Sequence, residues 1–85
     1  MYRVFLERAA ERDLRRLPPR LHSRVIMAIQ ALADEPRPGG CRKLTRSDRD
    51  WRIRVGDYRI VYEIDDAARE VGVNRVRHRR EVYRK

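Results

Sequence analysis

The residues best suited to chemistry are arginines placed between apolar positions in segment 51–64, Trp-Arg-Ile-Arg-Val-Gly-Asp-Tyr-Arg-Ile-Val-Tyr-Glu-Ile. A period of two is typical of strands with one buried face, and the central Gly-Asp pair suits a two-residue turn in which glycine supplies a positive φ. If the residues that flank this turn pair with each other, Arg54 stands opposite Arg59 and shares a sheet face with Arg59 and Arg52. Like charges directly across a ladder are destabilising. The hairpin therefore predicts an anion-binding face, with phosphate as the anion that arginine binds best.

A second group of polar side chains lies in the C-terminal tail. Its members are Arg77, His78, Arg79, Arg80, Glu81 and Tyr83. If the substrate is RNA, cleavage without a metal needs cations at the transition state, a base for the 2′-hydroxyl and an acid for the leaving oxygen. Arginine meets the first need but cannot act as the base, because its pKa exceeds about 12.

The base is therefore left open between Tyr83, His78, Glu81 and a group that the RNA or its partner supplies. Neighbouring arginines favour the phenolate form of Tyr83 and so lower its pKa. Each candidate also has an ordinary structural interpretation. His78 suits a surface position, Tyr83 suits packing of the tail on the sheet, and Glu81 suits a salt bridge to one of the nearby arginines.

The hydrophobic pattern predicts an α+β fold with the order β-α-α-β-β-β, in which a helical hairpin packs on one face of a mainly antiparallel sheet. The predicted elements are a strand at 2–6, a helix at 7–17, a helix at 19–33, a short strand at 42–44, hairpin strands at 51–55 and 58–64, and a strand at 70–77. The pattern does not decide which side chains of the last strand face the helices. Val71 and Val73 share a face with Arg75 and Arg77 unless the strand contains a bulge.

Length and composition limit the classes of protein to which the chain can belong. With 85 residues it forms a single domain, 1–85, with one modest core. The 22 basic and 13 acidic residues give a net charge of +9, which favours nucleic acid, an acidic protein or an anionic membrane surface as the partner. One cysteine, Cys41, excludes an internal disulfide and fits a reducing cytosol. We find no signal peptide, membrane span, metal-ligand spacing or glycine-rich phosphate loop, and we expect a cytoplasmic protein without a metal or small-molecule cofactor.

Two segments resemble those of the RelE-type toxins in bacterial and archaeal toxin–antitoxin pairs. They are 56–65, Gly-Asp-Tyr-Arg-Ile-Val-Tyr-Glu-Ile-Asp, and 78–84, His-Arg-Arg-Glu-Val-Tyr-Arg. The first strand, the two helices separated at Leu17-Pro18 and Lys43-Leu44 before the hairpin fit the same family. The resemblance covers nearly the whole chain and implies the RelE-like fold.

The resemblance also implies an activity, which is metal-independent cleavage of mRNA in the ribosomal A site by 2′-hydroxyl attack that leaves a 2′,3′-cyclic phosphate. Arg52 and Arg54 match substrate-binding positions, with Arg77 and Arg80 as further binding candidates. Arg59, Arg79 and Tyr83 match catalytic positions, and His78 falls where some relatives place a catalytic histidine. First-strand positions that are often lysine in the family are arginine here, which removes a neutral lysine as the base.

The implied partners are a cognate antitoxin, the ribosome and mRNA, and the implied consequence is inhibition of translation. Two alternatives remain open at the level of sequence. The first is a ParE-like inhibitor of DNA gyrase, which uses the same scaffold without the catalytic residues. The second is a degenerate, non-catalytic family member that only binds its antitoxin.

Overall fold

A computed structural model of the chain describes residues 1–44 and 50–80. The elements in chain order are β1 (Arg3–Leu6), α1 (Arg8–Arg15), α2 (Pro19–Ala31), β2 (Arg42–Lys43), β3 (Asp50–Val55), β4 (Tyr58–Asp65) and β5 (Glu70–His78). The strands form one sheet in the order β1-β5-β4-β3-β2. Among the described strands, the β1–β5 pair is parallel, and the β2–β3, β3–β4 and β4–β5 pairs are antiparallel. The predicted α+β class and element order are confirmed.

The Pro18-Pro19 pair determines where α1 ends and where α2 begins. In α1, Ala10 and Leu14 are buried, and the helix stops at Arg15, two residues before the predicted end at Leu17. Pro18 disfavours the helical conformation at the residue before it. The chain closes instead with a tight turn, in which the Leu17 N–H donates to the Leu14 carbonyl at 3.2 Å. Proline then occupies the first position of α2, where its missing N–H costs nothing.

The hydrophobic core lies between the helical hairpin and one face of the sheet. The helices and the turns that end them contribute Ala10, Leu14, Leu17, Val25, Ile29 and Leu32, and the sheet contributes Ile53, Ile60, Tyr62, Ile64, Val71, Val73 and Val76. This division places the helices over one sheet face and leaves the other mainly to polar side chains. Within the part of the chain that the structure describes, neither helix is long and apolar enough to cross a membrane.

A β-bulge in β5 decides which of its side chains face the helices. Tyr62 pairs with Val73 whereas the preceding Val61 pairs with Arg75, so Asn74 has no counterpart in β4. The extra residue shifts the alternation by one position, because neighbouring side chains in a strand point to opposite faces. All three valines of β5 therefore lie in the core, and the arginines that follow the bulge lie on the opposite face. The ambiguity in the sequence pattern is resolved by the bulge.

Candidate anion-binding site

Six arginines cluster at the hairpin end of the sheet face that the helices do not cover, and we call this group the arginine face. Its members are Arg42, Arg52, Arg54, Arg59, Arg75 and Arg77. They form two rows across the strands. Arg54, Arg59 and Arg77 are successive cross-strand partners from β3 to β5, and Arg42 pairs with Arg52 in the neighbouring row, which continues through Val61 to Arg75.

The turn between β3 and β4 fixes this arrangement. Gly56 has a φ of 59° while no positive φ occurs at Asp57, as expected for a type II′ turn with glycine at its first central position. Val55 and Tyr58 flank this turn and are partners, which confirms the predicted register, including Arg54 opposite Arg59. In a two-residue hairpin the flanking pair exchanges both hydrogen bonds. Arg54 and Arg59 therefore form the closer, non-hydrogen-bonded type of pair, with Cα atoms about 4.5 Å apart.

Several arginine side chains are held in place before any ligand binds. The Arg54 Nε donates to the Gly56 carbonyl oxygen at 3.0 Å, which fixes the guanidinium against the turn. Arg59 and Arg77 are half-buried, and their Nε atoms are shielded from solvent. Grouped guanidinium ions repel each other in the absence of an anion, and they provide forked donors in the geometry that phosphate accepts.

One carboxylate from α1 reaches the edge of the arginine face. Asp13 accepts hydrogen bonds from Arg75 Nε at 2.9 Å and Nη2 at 3.2 Å, and from the Val76 N–H at 2.9 Å. Burial acts to raise the pKa of Asp13, but these hydrogen bonds and the charges of Arg75 and Arg77 outweigh it and hold the pKa below its ordinary value. Asp13 thus accepts the Val76 N–H, which lies on the edge of β5 past the last residue paired with β1, and it holds the Arg75 side chain in place.

The arginine face continues around the edge of β3 into an open cleft of about 660 Å³. The cleft is lined by α2, the α2–β2 loop and β3, with Arg42, Arg52, Arg54 and Arg59 on its basic side. Residues 1–44 and 50–80 contain no group of three or more His, Cys, Asp or Glu side chains that could hold a metal ion. The arginines in the described part of this site offer fixed cations and hydrogen-bond donors.

The loop that borders the cleft is attached to the sheet by its own polar contacts. Arg37 donates to both carboxylate oxygens of Asp66, at 3.3 and 2.9 Å, and its guanidinium carbon lies 5.1 Å from the Trp51 ring centroid. The Tyr2 hydroxyl donates to the same carboxylate at 2.6 Å. The hydrogen bonds from Arg37 and Tyr2 lower the pKa of Asp66. Because Pro38, Gly39 and Gly40 line the cleft, these contacts also hold one of its walls.

The described part of the tail begins beside the hairpin turn. The Arg79 N–H donates to the Asp57 carbonyl at 2.7 Å, and the side chains of Arg79 and Arg80 are exposed. His78 pairs with Tyr58 and makes an edge-on ring contact with it at 5.3 Å between centroids, on the helix-facing side of the sheet. The arginine face therefore does not include His78, whose Nδ1 accepts the Arg80 N–H at 3.2 Å. Glu81 and Tyr83 lie outside the described residues.

Comparison with known proteins agrees with this fold. Residues 4–83 match the family described as the ParE toxin of the type II toxin–antitoxin system parDE. The chain is 36% identical over 85 residues to the toxin RelG of Mycobacterium tuberculosis, covering 99% of this chain and 98% of that protein. This chain is a type II toxin of the RelE/ParE superfamily.

Solved structures place the toxin in the same superfamily. A chain of the RelBE2 toxin–antitoxin complex from M. tuberculosis matches it with a TM-score of 0.80 at 35% identity, over 91% of this chain and 96% of that one. A chain of the archaeal RelE–RelB complex from Pyrococcus horikoshii matches with a TM-score of 0.82 at 25% identity, over 92% and 94% of the two chains. The predicted resemblance to RelE-type toxins and the RelE-like fold are confirmed.

The structure groups four of the predicted site residues of the toxin, Arg52, Arg54, Arg59 and Arg77, and adds members that the sequence did not single out. Arg75 joins them only because of the bulge at Asn74, for which the ambiguous valine pattern of β5 was the only signal. Arg42 joins through the short strand β2, which the sequence did predict. Asp13 could not be recognised as a site residue from the sequence, because a carboxylate on a charged helix surface has the same pattern as a solvated residue.

Proposed function

We propose that the toxin is a metal-independent, ribosome-dependent mRNA endoribonuclease that inhibits translation and is held inactive by a cognate antitoxin. The observation that carries the proposal is the pairing of Arg54, Arg59 and Arg77 across three adjacent strands. Such a row is unfavourable for the folded chain alone. It becomes favourable when the anionic backbone of a nucleic acid lies across it.

In the proposed reaction, Arg52 and Arg54 bind the phosphates on either side of the cleaved bond, with Arg77 and Arg80 as further contacts. A base removes the proton of the 2′-hydroxyl, and the 2′-oxygen attacks phosphorus. The bond from phosphorus to the 5′-oxygen then breaks as that oxygen is protonated, giving a 2′,3′-cyclic phosphate and a 5′-hydroxyl. Arg59 stabilises the additional negative charge at the transition state, where fixed cations contribute most.

Tyr83 is assigned as the base that takes the 2′-hydroxyl proton, and Arg79 as a hydrogen-bond donor to the leaving 5′-oxygen, which takes its proton from water. The carbonyl of Asp57 anchors Arg79 through its main chain, which brings the start of the tail to the end of the arginine face. His78 lies on the other side of the sheet and bonds to the Arg80 N–H. We therefore give His78 the role of fixing the tail instead of contacting the RNA.

The test is cleavage of an mRNA on purified, programmed ribosomes, with analysis of the product ends. Arg59→Ala should abolish cleavage, whereas Arg20→Ala removes the same charge from an exposed position on α2 and should leave it unchanged. Both variants should remain folded by circular dichroism. A folded Arg59→Ala variant that still cuts in the A site would refute the role of Arg59.

Inhibition of DNA gyrase is the second candidate, favoured by the match of residues 4–83 to the ParE toxin family. The arginine face would then bind an acidic protein surface or DNA without chemistry. Wild-type toxin that inhibits gyrase supercoiling and leaves ribosome-bound mRNA intact would establish this function in place of the nuclease.

A further inference from the structure

The sheet face that the helices do not cover carries opposite charges at its two ends. Beyond the arginine face, the next two rows along the strands carry carboxylates, and we call these residues the acidic end. They are the cross-strand pair Asp50 and Glu63 and the cross-strand pair Asp65 and Glu70. Like charges therefore stand opposite each other in both rows, which is unfavourable for an isolated chain. Arg3 offsets part of this charge through its ion pair with Glu70 at 2.8 Å.

An exposed aromatic ring lies within the acidic end. Phe5 is 45% exposed, and it is the cross-strand partner of Gly72. Its ring lies across that glycine, because a Cβ at Gly72 would come within 3.2 Å of the ring. The ring and three carboxylates line a shallow pocket of about 110 Å³, to which Glu63, Asp65 and Glu70 contribute. An aromatic face beside carboxylates is a surface that attracts a cation.

A two-fold axis can bring the two ends together if it lies in the plane of this face and runs perpendicular to the strands. With the axis between the row of Val61 and the row of Glu63, each strand lies over the same strand of a second copy in the opposite direction. The two arginine rows of one copy then lie over the two acidic rows of the other. An axis parallel to the strands would place arginines over arginines, so the charges select the perpendicular arrangement.

The perpendicular arrangement gives a specific counterpart to four members of the arginine face. The facing groups, with that of the second copy named second, are Arg59 and Asp65, Arg77 and Glu70, Arg52 and Asp50, and Arg75 and the Phe5 ring. Glu63 of the second copy lies over Val61, beside Arg52. Because the axis is two-fold, every contact occurs twice. Guanidinium groups bind carboxylates and aromatic faces, so the sheet face is complementary to itself.

We propose that the toxin forms a two-fold homodimer through this face, in which the acidic end of each copy covers the arginine face of the other. The observation that carries the inference is the presence of both charges in successive rows of one face. RNA is complementary to the arginines but is repelled by the carboxylates, and a basic protein is complementary to the carboxylates alone. A second copy matches both ends at once, and it also covers the exposed ring of Phe5.

The size of the face sets the strength of this dimer. Four rows about 6.6 Å apart on five strands about 4.8 Å apart make a surface about 20 Å square. This is about 400 Å² for each copy, which is half of the roughly 800 Å² that each partner buries in a stable complex. The dimer is therefore weak, with a dissociation constant in the micromolar range or above, and it exchanges readily with the monomer.

Dimerisation would regulate the toxin, because it covers the arginines that are proposed to bind RNA. The association itself does not depend on the nuclease assignment, whereas this consequence rests on the proposed function. RNA and the second copy would compete for the same guanidinium groups. Concentrated toxin would therefore be a store of inactive dimer, and single-stranded RNA would dissociate it into monomers that each carry RNA.

The first measurement is sedimentation velocity of the full chain over a range of about 1 to 200 µM, which brackets a weak complex. A salt concentration of about 0.15 M gives a Debye length of about 8 Å, which screens the long-range repulsion between two chains of charge +9 but leaves direct contacts. The wild type should pass from monomer to dimer as its concentration rises. Salt at about 1 M should return it to monomer.

A charge exchange between Glu63 and Arg52 tests the arrangement of the two copies. Glu63→Arg and Arg52→Glu should each weaken the dimer about tenfold or more, because each brings like charges together at both symmetric contacts. An equimolar mixture should form a heterodimer close to wild-type strength, since the two introduced charges then face each other. Glu11→Arg makes the same change of charge as Glu63→Arg on an exposed position of α1, and it should leave the dimer unchanged.

The ring contact is tested separately. Phe5→Leu keeps an apolar side chain but removes the aromatic face beneath Arg75 of the other copy, and it should weaken the dimer about fivefold over the two contacts. Met27→Leu alters an exposed apolar side chain on α2 and should have no effect. Equal association of both variants with the wild type would remove Phe5 from the interface.

Several results would overturn the inference. They are a wild type that stays monomeric over the whole range, a dimer that neither charge reversal weakens, and species that grow beyond the dimer in a head-to-tail manner. A mixture of the two reversed variants that does not associate, with both folded by circular dichroism, would also overturn it. Binding of an oligoarginine peptide to the acidic end of a monomeric wild type would assign that end to a basic protein instead.

Cleavage by the same proteins separates this inference from the nuclease. Glu63 lies outside the arginine face, so Glu63→Arg should retain ribosome-dependent cleavage and lose the inhibition that wild type shows at high concentration. A wild type that dimerises but cleaves nothing would refute the nuclease and leave the dimer intact. Cleavage by a wild type that is monomeric at every concentration would refute the dimer alone.

Discussion

The ion pair between Asp13 and Arg75 connects α1 to the edge of the arginine face, and its removal by Asp13→Asn gives the sharpest test of the fold. The Asp13 side chain is only 10% exposed and accepts three hydrogen bonds, two from Arg75 and one from the Val76 N–H. Hydrogen bonds that involve a charged group contribute about 1.5–3 kcal/mol each when buried. Arg75 is 40% exposed, so solvent screening reduces its share to about 1 kcal/mol or less.

Asparagine keeps one oxygen that can accept the Val76 N–H, but it loses the charge. We therefore expect Asp13→Asn to lower the free energy of unfolding by about 1–2 kcal/mol at pH 7, and Asp13→Ala by about 2–4 kcal/mol, because alanine leaves the edge N–H without its side-chain acceptor. The measurement is urea denaturation followed by circular dichroism. Glu11→Gln is the matched control, since it neutralises an exposed carboxylate on the same helix and should change stability by less than about 0.5 kcal/mol.

The pH dependence of this stability difference tests whether the charge of Asp13 causes it. The folded pKa of Asp13 lies below its unfolded value, so its charge stabilises the fold above the unfolded pKa of about 3.9, and this contribution is lost as the pH falls through the folded pKa. The difference between wild type and Asp13→Asn should therefore be full at pH 6–7 and shrink towards zero at the acid end of the titration. A deficit that stays constant down to acid-induced unfolding, or no deficit at pH 7, would contradict the assigned role of this carboxylate.

Three further substitutions test the turn, the core and the anion site. Gly56→Ala should destabilise the toxin by about 1–2 kcal/mol in urea denaturation because of its φ of 59°, whereas Gly39→Ala, in open space without a positive φ, should have little effect. Tyr62→Phe should cost about 1 kcal/mol by the same measurement, because its buried hydroxyl donates at 2.7 Å to a carbonyl of the α2–β2 loop; an unchanged midpoint would show that this bond contributes nothing. Arg54→Ala should weaken binding of single-stranded RNA and reduce the slope of log K against log salt by about 0.7 for each phosphate that the variant no longer neutralises, while Arg20→Ala should leave the slope unchanged.

The hairpin could be predicted in detail because two local signals agree on its register. The period of two assigns each side chain to a face, and a Gly-Asp turn fixes which residues face each other. Both signals involve residues within the same 14-residue segment, so no tertiary information is needed. Arg54 opposite Arg59, and the group formed with Arg52, followed directly from them.

The rest of the site depends on contacts between distant segments, which a sequence pattern does not encode. The position of the bulge at Asn74 decides where Arg75 and Arg77 lie, and it is fixed by how β5 packs between β1 and β4. Asp13 becomes part of the site because β1 stops pairing with β5 at Val73, which leaves the Val76 N–H to a side chain from α1. The facing of His78 follows from the same bulge, because one extra residue moves each later side chain of β5 to the other face.

The distribution of charge on the exposed sheet face supports a directional binding surface. The arginines occupy the end near the hairpin turn, whereas Glu63, Asp65 and Glu70 lie on the same face towards the other end of β4 and β5, where Arg3 pairs with Glu70 at 2.8 Å. A sheet shaped only by stability would mix these charges, since opposite charges across a ladder are favourable and like charges are not. The separation instead creates a positive region bounded by a negative one. If the proposed nuclease function is correct, a phosphate backbone binds across the arginines and is repelled beyond them, which would limit the RNA to a short segment at the turn end of the sheet.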